Sequence, residues 1–388
     1  MLARLKQSLR STYRNFKLPP AAKAEMRSDT SGLPAGDPGN ERVVAAAMAW
    51  MKTAQDSSRS NDGGIARFYS MINGWSSSYP ETTGYIIPTI LKHASGKKDL
   101  ELRGRGLKML DWLVDIQLPE GGFQGGLIDA RPKVPVTFNT GSVLLGLAAG
   151  AIEFGHAYLA AMTRAAQWLQ ATQDEDGCWR KYPSPFAKSG EKVQDVHVAW
   201  GLLEAERVTP NRGYADAALK NVRWAISHQA SNGWFSKIGV TAQQPVVSHA
   251  LGFVLRGLIE AYGHCGEKEI LAAGRRTADG LLQALRADGF LPGLMHGDWR
   301  AAADWNCLVG SAQIACCWLM LYKYTADEKY RRAALAVNRY IRRSVKIEAA
   351  EELTGAIKGS FPVHGGYMPF TFLSPKFLID AIDLEREV

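Results

Sequence analysis

Two carboxylates in this sequence stand where apolar stretches begin, and they are its best candidates for chemistry. Glu81 lies in Ser78-Tyr79-Pro80-Glu81-Thr82-Thr83-Gly84-Tyr85, and Asp195 opens Asp195-Val196-His197-Val198. An acid at a helix start can simply cap it by accepting backbone N–H bonds. Partial burial of the same group raises its proton affinity toward neutrality, which suits a general acid or base. Tyr79, His197 and His249 are further proton-transfer candidates, each also readable as a packed core side chain. Around them lie the aromatics Tyr69, Trp75, Tyr182, Trp234, Trp299, Trp305 and Tyr367 and the amides Asn139, Asn306 and Gln313. Aromatic faces that stack on C–H surfaces, with amides that pair with hydroxyls, are what a sugar-binding cleft needs. Arg67, Arg131 and Arg180 are placed to receive the carboxylate of an acidic sugar.

The elements that must position these residues come from an internal repeat. Trp and Gln recur five apart at Trp50/Gln55, Trp112/Gln117, Trp168/Gln173 and Trp224/Gln229, and glycine turns follow at Gly63, Gly121, Gly177, Gly233 and Gly289. From Gly121 onward the step is 56 residues each time, and a degenerate sixth copy lies near Gly355–Phe361. Before each turn the apolar residues fall at helical spacing, which predicts amphipathic outer helices near 41–55, 99–117, 157–173, 213–229, 267–285 and 328–345. The stretches after the long loops are more evenly apolar and small, which predicts buried inner helices near 82–95, 138–154, 195–208, 246–262, 306–324 and 373–385. Six hairpins that cannot bury their apolar faces alone must stack, and a closed (α/α)6 barrel is favoured over an open solenoid by Gly84, Gly141, Ala199, Gly252 and Ala312 on the inner helices. All long connections then share one rim, where function is expected.

The chain has 388 residues, 46% hydrophobic, with a formal charge of +8. These values exclude a disordered chain, a collagen-like repeat and a disulfide miniprotein. Cys178, Cys265, Cys307, Cys316 and Cys317 form no CxxC pair, so free thiols in a reducing compartment and no metal site are expected. No cofactor is implied. No apolar run reaches membrane-spanning length and no secretory core follows the first basic residues, so a cytoplasmic location is expected. The charge is uneven: residues 1–27 carry +6 of the +8. Leu2, Leu5, Leu9, Tyr13 and Phe16 share one helical face among those cations, which predicts a basic amphipathic segment with linker over 1–40, suited to an anionic membrane surface, ahead of a toroid domain over 41–388.

Over residues 41–385 the repeat resembles the α/α-toroid superfamily, which includes squalene-hopene cyclases, prenyltransferase β subunits, lanthionine cyclases and six-hairpin polysaccharide enzymes. Gln173-Asp174-Glu175-Asp176-Gly177-Cys178-Trp179 is similar to the QW turns of the cyclases, but the cyclases' acidic DxDD proton donor is missing. Ser78 to Tyr85, Gly359-Ser360-Phe361-Pro362 and Gly365-Gly366-Tyr367 resemble toroid proteins of bacterial exopolysaccharide and capsule clusters. Those in turn are distantly similar to glucuronyl C5-epimerase C-terminal domains and to six-hairpin lyases and unsaturated-glucuronyl hydrolases. The resemblance implies a role in polysaccharide biosynthesis and carries over no catalytic residue.

Three functions follow as expectations. The first is a carbohydrate-active enzyme of hydrolase, lyase or uronyl epimerase type, with an oligo- or polysaccharide partner, in some settings lipid-linked, and no nucleic acid. The second is an isoprenoid-processing toroid, and the third a non-catalytic glycan-binding or scaffold protein. The lining of the cavity separates them: polar walls with two carboxylates, aromatic walls with one acid, or no converging titratable groups.

Overall fold

The computed structural model describes residues 18–184, 190–239 and 245–388. Among these residues a first helix, α1 (Pro20–Thr30), precedes six helical hairpins: α2 (Asn40–Asp56) with α3 (Pro80–Lys97), α4 (Leu100–Ile116) with α5 (Thr137–Phe154), α6 (His156–Thr172) with α7 (Val196–Val208), α8 (Tyr214–Ile226) with α9 (Ser248–Cys265), α10 (Lys268–Ala284) with α11 (Leu308–Thr325), and α12 (Glu328–Ser344) with α13 (Lys376–Glu385). The first of each pair is an outer helix. In α6 the buried residues Tyr158, Ala161, Met162, Ala165, Ala166, Trp168 and Leu169 form one stripe. In the inner helix α5 nearly every residue from Asn139 to Ala148 is buried, because it is covered on all sides.

The repeated glutamines hold one hairpin to the next. Gln173 Nε2 donates to the carbonyl of Gly177 in its own turn (3.0 Å) and to that of Ala217 on the next outer helix (2.8 Å). Gln117 makes the same pair of bonds to Gly121 and Ala161, and Gln229 to Gly233 and Ala273. Gly177 has φ +96°, and a Cβ there would sit 2.7 Å from the Lys220 carbonyl oxygen, so both conformation and contact require glycine. In the degenerate last copy, Gly355 packs in the same way against the Ala46 carbonyl of the first outer helix. Trp50 Nε1 also donates to Glu352 O across this junction (2.9 Å). Inside, each inner helix packs on its successor, and α13 returns to α3. The ring therefore closes.

Short strands trim the long-loop rim: β1 (Phe68–Ser70), β2 (Gly74–Trp75), β3 (Val246–Val247), β4 (Leu294–Met295), β5 (Ile357–Lys358) and β6 (Thr371–Leu373). They form a four-stranded sheet, β2-β1-β6-β5, and the pair β3-β4. Antiparallel pairing of Phe68 with Leu373 and Ser70 with Thr371 ties the first repeat to the last. The sequence pattern starts the last inner helix at 373; it begins at Lys376 because Thr371–Leu373 is committed to this ladder and Pro375 holds Ser374 out of the helical region.

The region expected as segment and linker contains α1, which is docked on the last repeat. Buried Lys358 of β5 pairs with buried Glu25 (2.7 Å) and Asp29, Lys346 also reaches Glu25 (2.6 Å), and Asp29 accepts from the Val363 backbone N–H (2.7 Å). Leu2, Leu5, Leu9, Tyr13 and Phe16 lie outside the described residues. Among the described residues no helix is long and apolar enough to cross a membrane.

Candidate active site

A cavity of about 470 Å³ opens on the long-loop rim, within the range of small-ligand sites. Four inner helices begin at it, so their N-terminal partial positive charges converge there. From these starts come Glu81 (α3), Thr137 and Phe138 (α5), Asp195 (just ahead of α7) and His249 (α9), while Arg67, Tyr182, Lys192 and Tyr367 reach it from the loops. Neither carboxylate caps its helix. No side chain caps α3 or α7. Glu81 Oε2 instead accepts from the Tyr79 hydroxyl (2.9 Å), and the Arg67 guanidinium lies 4.8 Å from the centre of the Tyr79 ring.

Burial sets the proton affinities. It raises the Glu81 carboxyl above the usual carboxylate range, although Arg67 and the Tyr79 hydroxyl oppose the shift. It pushes Asp195 up to about 7, against the pull of Lys192. Tyr79 and Tyr367 are raised by burial and stay protonated. Burial lowers His249 to about 4, so its ring is neutral at physiological pH. Two groups with elevated affinity for a proton therefore share one cavity with two cations and three phenols. Thr137 Oγ1 at the cavity wall has no protein partner, and Asn139 Nδ2 beside Tyr79 and Gln313 beside His249 are buried hydrogen-bonding groups without a well-formed bond. Such groups are costly to leave unpaired and are suited to a hydroxyl-bearing ligand or ordered water.

No family model matches the sequence, and no curated protein matches it. Solved structures do. An unsaturated glucuronyl hydrolase specific for heparin superposes with a TM-score of 0.71 at 15% identity, covering 91% of this chain and 98% of that one. A sugar epimerase from a ruminal bacterium gives 0.73 at 12% identity (90% and 98%), and a D-mannose isomerase 0.72 at 14% (91% and 99%). This chain is a six-hairpin α/α toroid. At these identities the likeness is one of fold.

In the toroid, Glu81, Tyr79, Arg67, Asp195, Tyr182, His249 and Tyr367 of the sequence-expected residues meet at the cavity. Asn139 lies beside the Tyr79 hydroxyl and Gln313 beside His249. Asn306 Oδ1 accepts from Ser311, and its backbone pairs with Phe361. His197 sits deeper, fully buried among the rings of Phe138 (5.3 Å), Phe253 (4.6 Å) and Trp200 (5.5 Å), with neither nitrogen bonded. The others go elsewhere. Arg180 is saturated by Asp174, Asp176 and Glu191 at 2.6–2.8 Å, and Arg131 donates to carbonyls of its own loop. Trp75 packs on Trp50 and Tyr69, whose hydroxyl reaches Glu352 (3.3 Å). Trp234 and Trp299 pack on each other, and Trp305 covers Gly293 and Gly366.

The cavity also contains residues the sequence reading passes over. Lys192 stands three positions before Asp195, and Phe253 four after His249, each one helical turn from a residue already singled out. Phe138 directly precedes Asn139 and makes an edge-to-face contact with Phe253 (4.9 Å). Among the described residues no three His, Cys, Asp or Glu side chains gather to hold a metal ion. Burial pushes the Cys307 thiol up to about 12, which leaves it un-ionised near neutral pH.

Proposed function

We propose that this toroid is a carbohydrate-active enzyme that modifies a glycan by proton transfer between Asp195 and Glu81. The observation that carries the reading is the pairing, in one cavity, of a buried carboxyl, Asp195, and a half-buried one, Glu81, with different partners. Asp195, with an affinity near neutrality, supplies a proton as general acid. Glu81, whose anionic form Arg67 and the Tyr79 hydroxyl both favour, serves as base, with that hydroxyl orienting it. Arg67 and Lys192 suit an anionic sugar unit, and Tyr182, Phe138 and Tyr367 offer surfaces for sugar C–H faces. The structural neighbours named above are a glucuronyl hydrolase, a sugar epimerase and a D-mannose isomerase, which supports a carbohydrate-modifying enzyme, and we read its reaction as of hydrolase, lyase or uronyl epimerase type.

We place the substrate among the oligo- or polysaccharides of bacterial exopolysaccharide or capsule biosynthesis, lipid-linked at the cytoplasmic leaflet. An isoprenoid pocket is disfavoured by the charged wall and by the buried amides beside it. Glu81→Gln and Asp195→Asn should each reduce turnover by about 10²-fold or more while glycan binding, followed by calorimetry, persists. Full turnover in both variants would remove the assignment, and binding without turnover in the parent protein would favour a glycan-binding module. Mass spectrometry of polysaccharide made with and without the protein names the product.

A further inference from the structure

Gln313 is a fully buried carboxamide on α11, inside the ring, with no well-formed hydrogen bond at its oxygen or nitrogen and a looser side-chain one to the His249 ring. It does not line the cavity; His249 does, and Gln313 lies beside it. His249 Nδ1 is sealed from solvent and likewise without a well-formed bond. Two sealed polar groups side by side can satisfy each other, and a buried polar group left unpaired is costly. The Gln313 oxygen is the amide atom turned toward α9: a Cβ on Gly252, one turn beyond His249, would meet it at 2.6 Å.

We propose that Gln313 is a positioning residue whose amide oxygen accepts a hydrogen bond from His249 Nδ1–H, fixing the tautomer in which Nε2 faces the substrate as a bare acceptor. The neighbours of the ring agree with a neutral imidazole. Arg67 at the cavity and buried His197 would repel a second proton, and the rings of Phe253, Tyr367 and Phe377 lie 4.3–6.0 Å from the imidazole. With Nδ1 committed, Nε2 can accept from a sugar hydroxyl or take a proton, and a reversed tautomer would present a donor instead.

This rests on reading the cavity as a proton-transfer site, but its test needs no substrate. Nitrogen-15 correlation spectra of the free full-length protein, with the His249 signals assigned through His249→Asn, should show Nδ1 protonated and Nε2 bare. Gln313→Leu, or Gln313→Met if leucine does not fold, should give a mixed or reversed pattern. Gln313→Glu keeps an acceptor oxygen, so it should restore the Nδ1–H form and raise the pH at which the ring titrates. A protonated Nε2 in the parent protein, or an unchanged pattern in the leucine and methionine variants, overturns the proposal. Either failure leaves the Glu81 and Asp195 kinetics standing, just as loss of that assignment would leave these spectra interpretable.

Discussion

Asp195 carries a cost in stability as well as the chemistry proposed for it. Its carboxyl takes up a proton at about 7 in the folded protein, against 3.8 when unperturbed. Between those values the folded state binds a proton that the unfolded state does not, so this group's contribution to stability declines as pH rises through that window and levels off above it. Asp195→Asn should therefore be more stable than the parent at pH 8, by about 2–4 kcal/mol, with the difference vanishing near pH 4. Thermal melts at the two pH values check this, and a variant less stable at pH 8 would show that the carboxylate has compensating partners. Such a gain, alongside lost turnover, is the usual exchange between stability and activity. Both carboxylates were legible as acids at helix starts, because helix ends are visible in sequence. Lys192 was not, since a lone lysine in a long loop has no pattern, and Arg180 looked available because the three acids that bind it are brought together only by folding.

Among elements, the twelve ring helices could be read to within a few residues because their two burial patterns, striped outside and nearly continuous inside, repeat with the glycine turns. What could not be read depended on distant pairing: β1 and β6 are three residues each and exist through each other, and α1 is held by lysines more than 300 positions away. The turns themselves are rigid joints. Gly177→Ala forces a left-handed φ on an L side chain and drives its Cβ into the Lys220 carbonyl, so it should cost about 2 kcal/mol or more, read as a lower urea midpoint. Its turn lies outside the cavity lining, so the proton-transfer chemistry should survive in the folded fraction. An unchanged midpoint would mean that the joint can flex.

For the whole molecule, the +8 formal charge divides into a strongly basic start and an almost balanced ring. A chain lacking residues 1–17 keeps every residue of the buried ion pairs that anchor α1. The shortened protein should no longer sediment with phosphatidylserine vesicles, whereas the full chain does so and ignores phosphatidylcholine; equal sedimentation of both forms would refute a membrane role for the segment. Closure of the ring was legible only as a preference drawn from small inner-helix residues, and it is decided by contacts between the chain's two ends. There Asn40 Nδ2 meets Glu385 Oε1 at 3.2 Å, and Arg386 pairs with Glu41. The toroid consequently has no intrinsic first hairpin. Because the first outer helix meets the last inner one, the same interfaces could be written by a ring that starts at any of the short turns on the opposite rim.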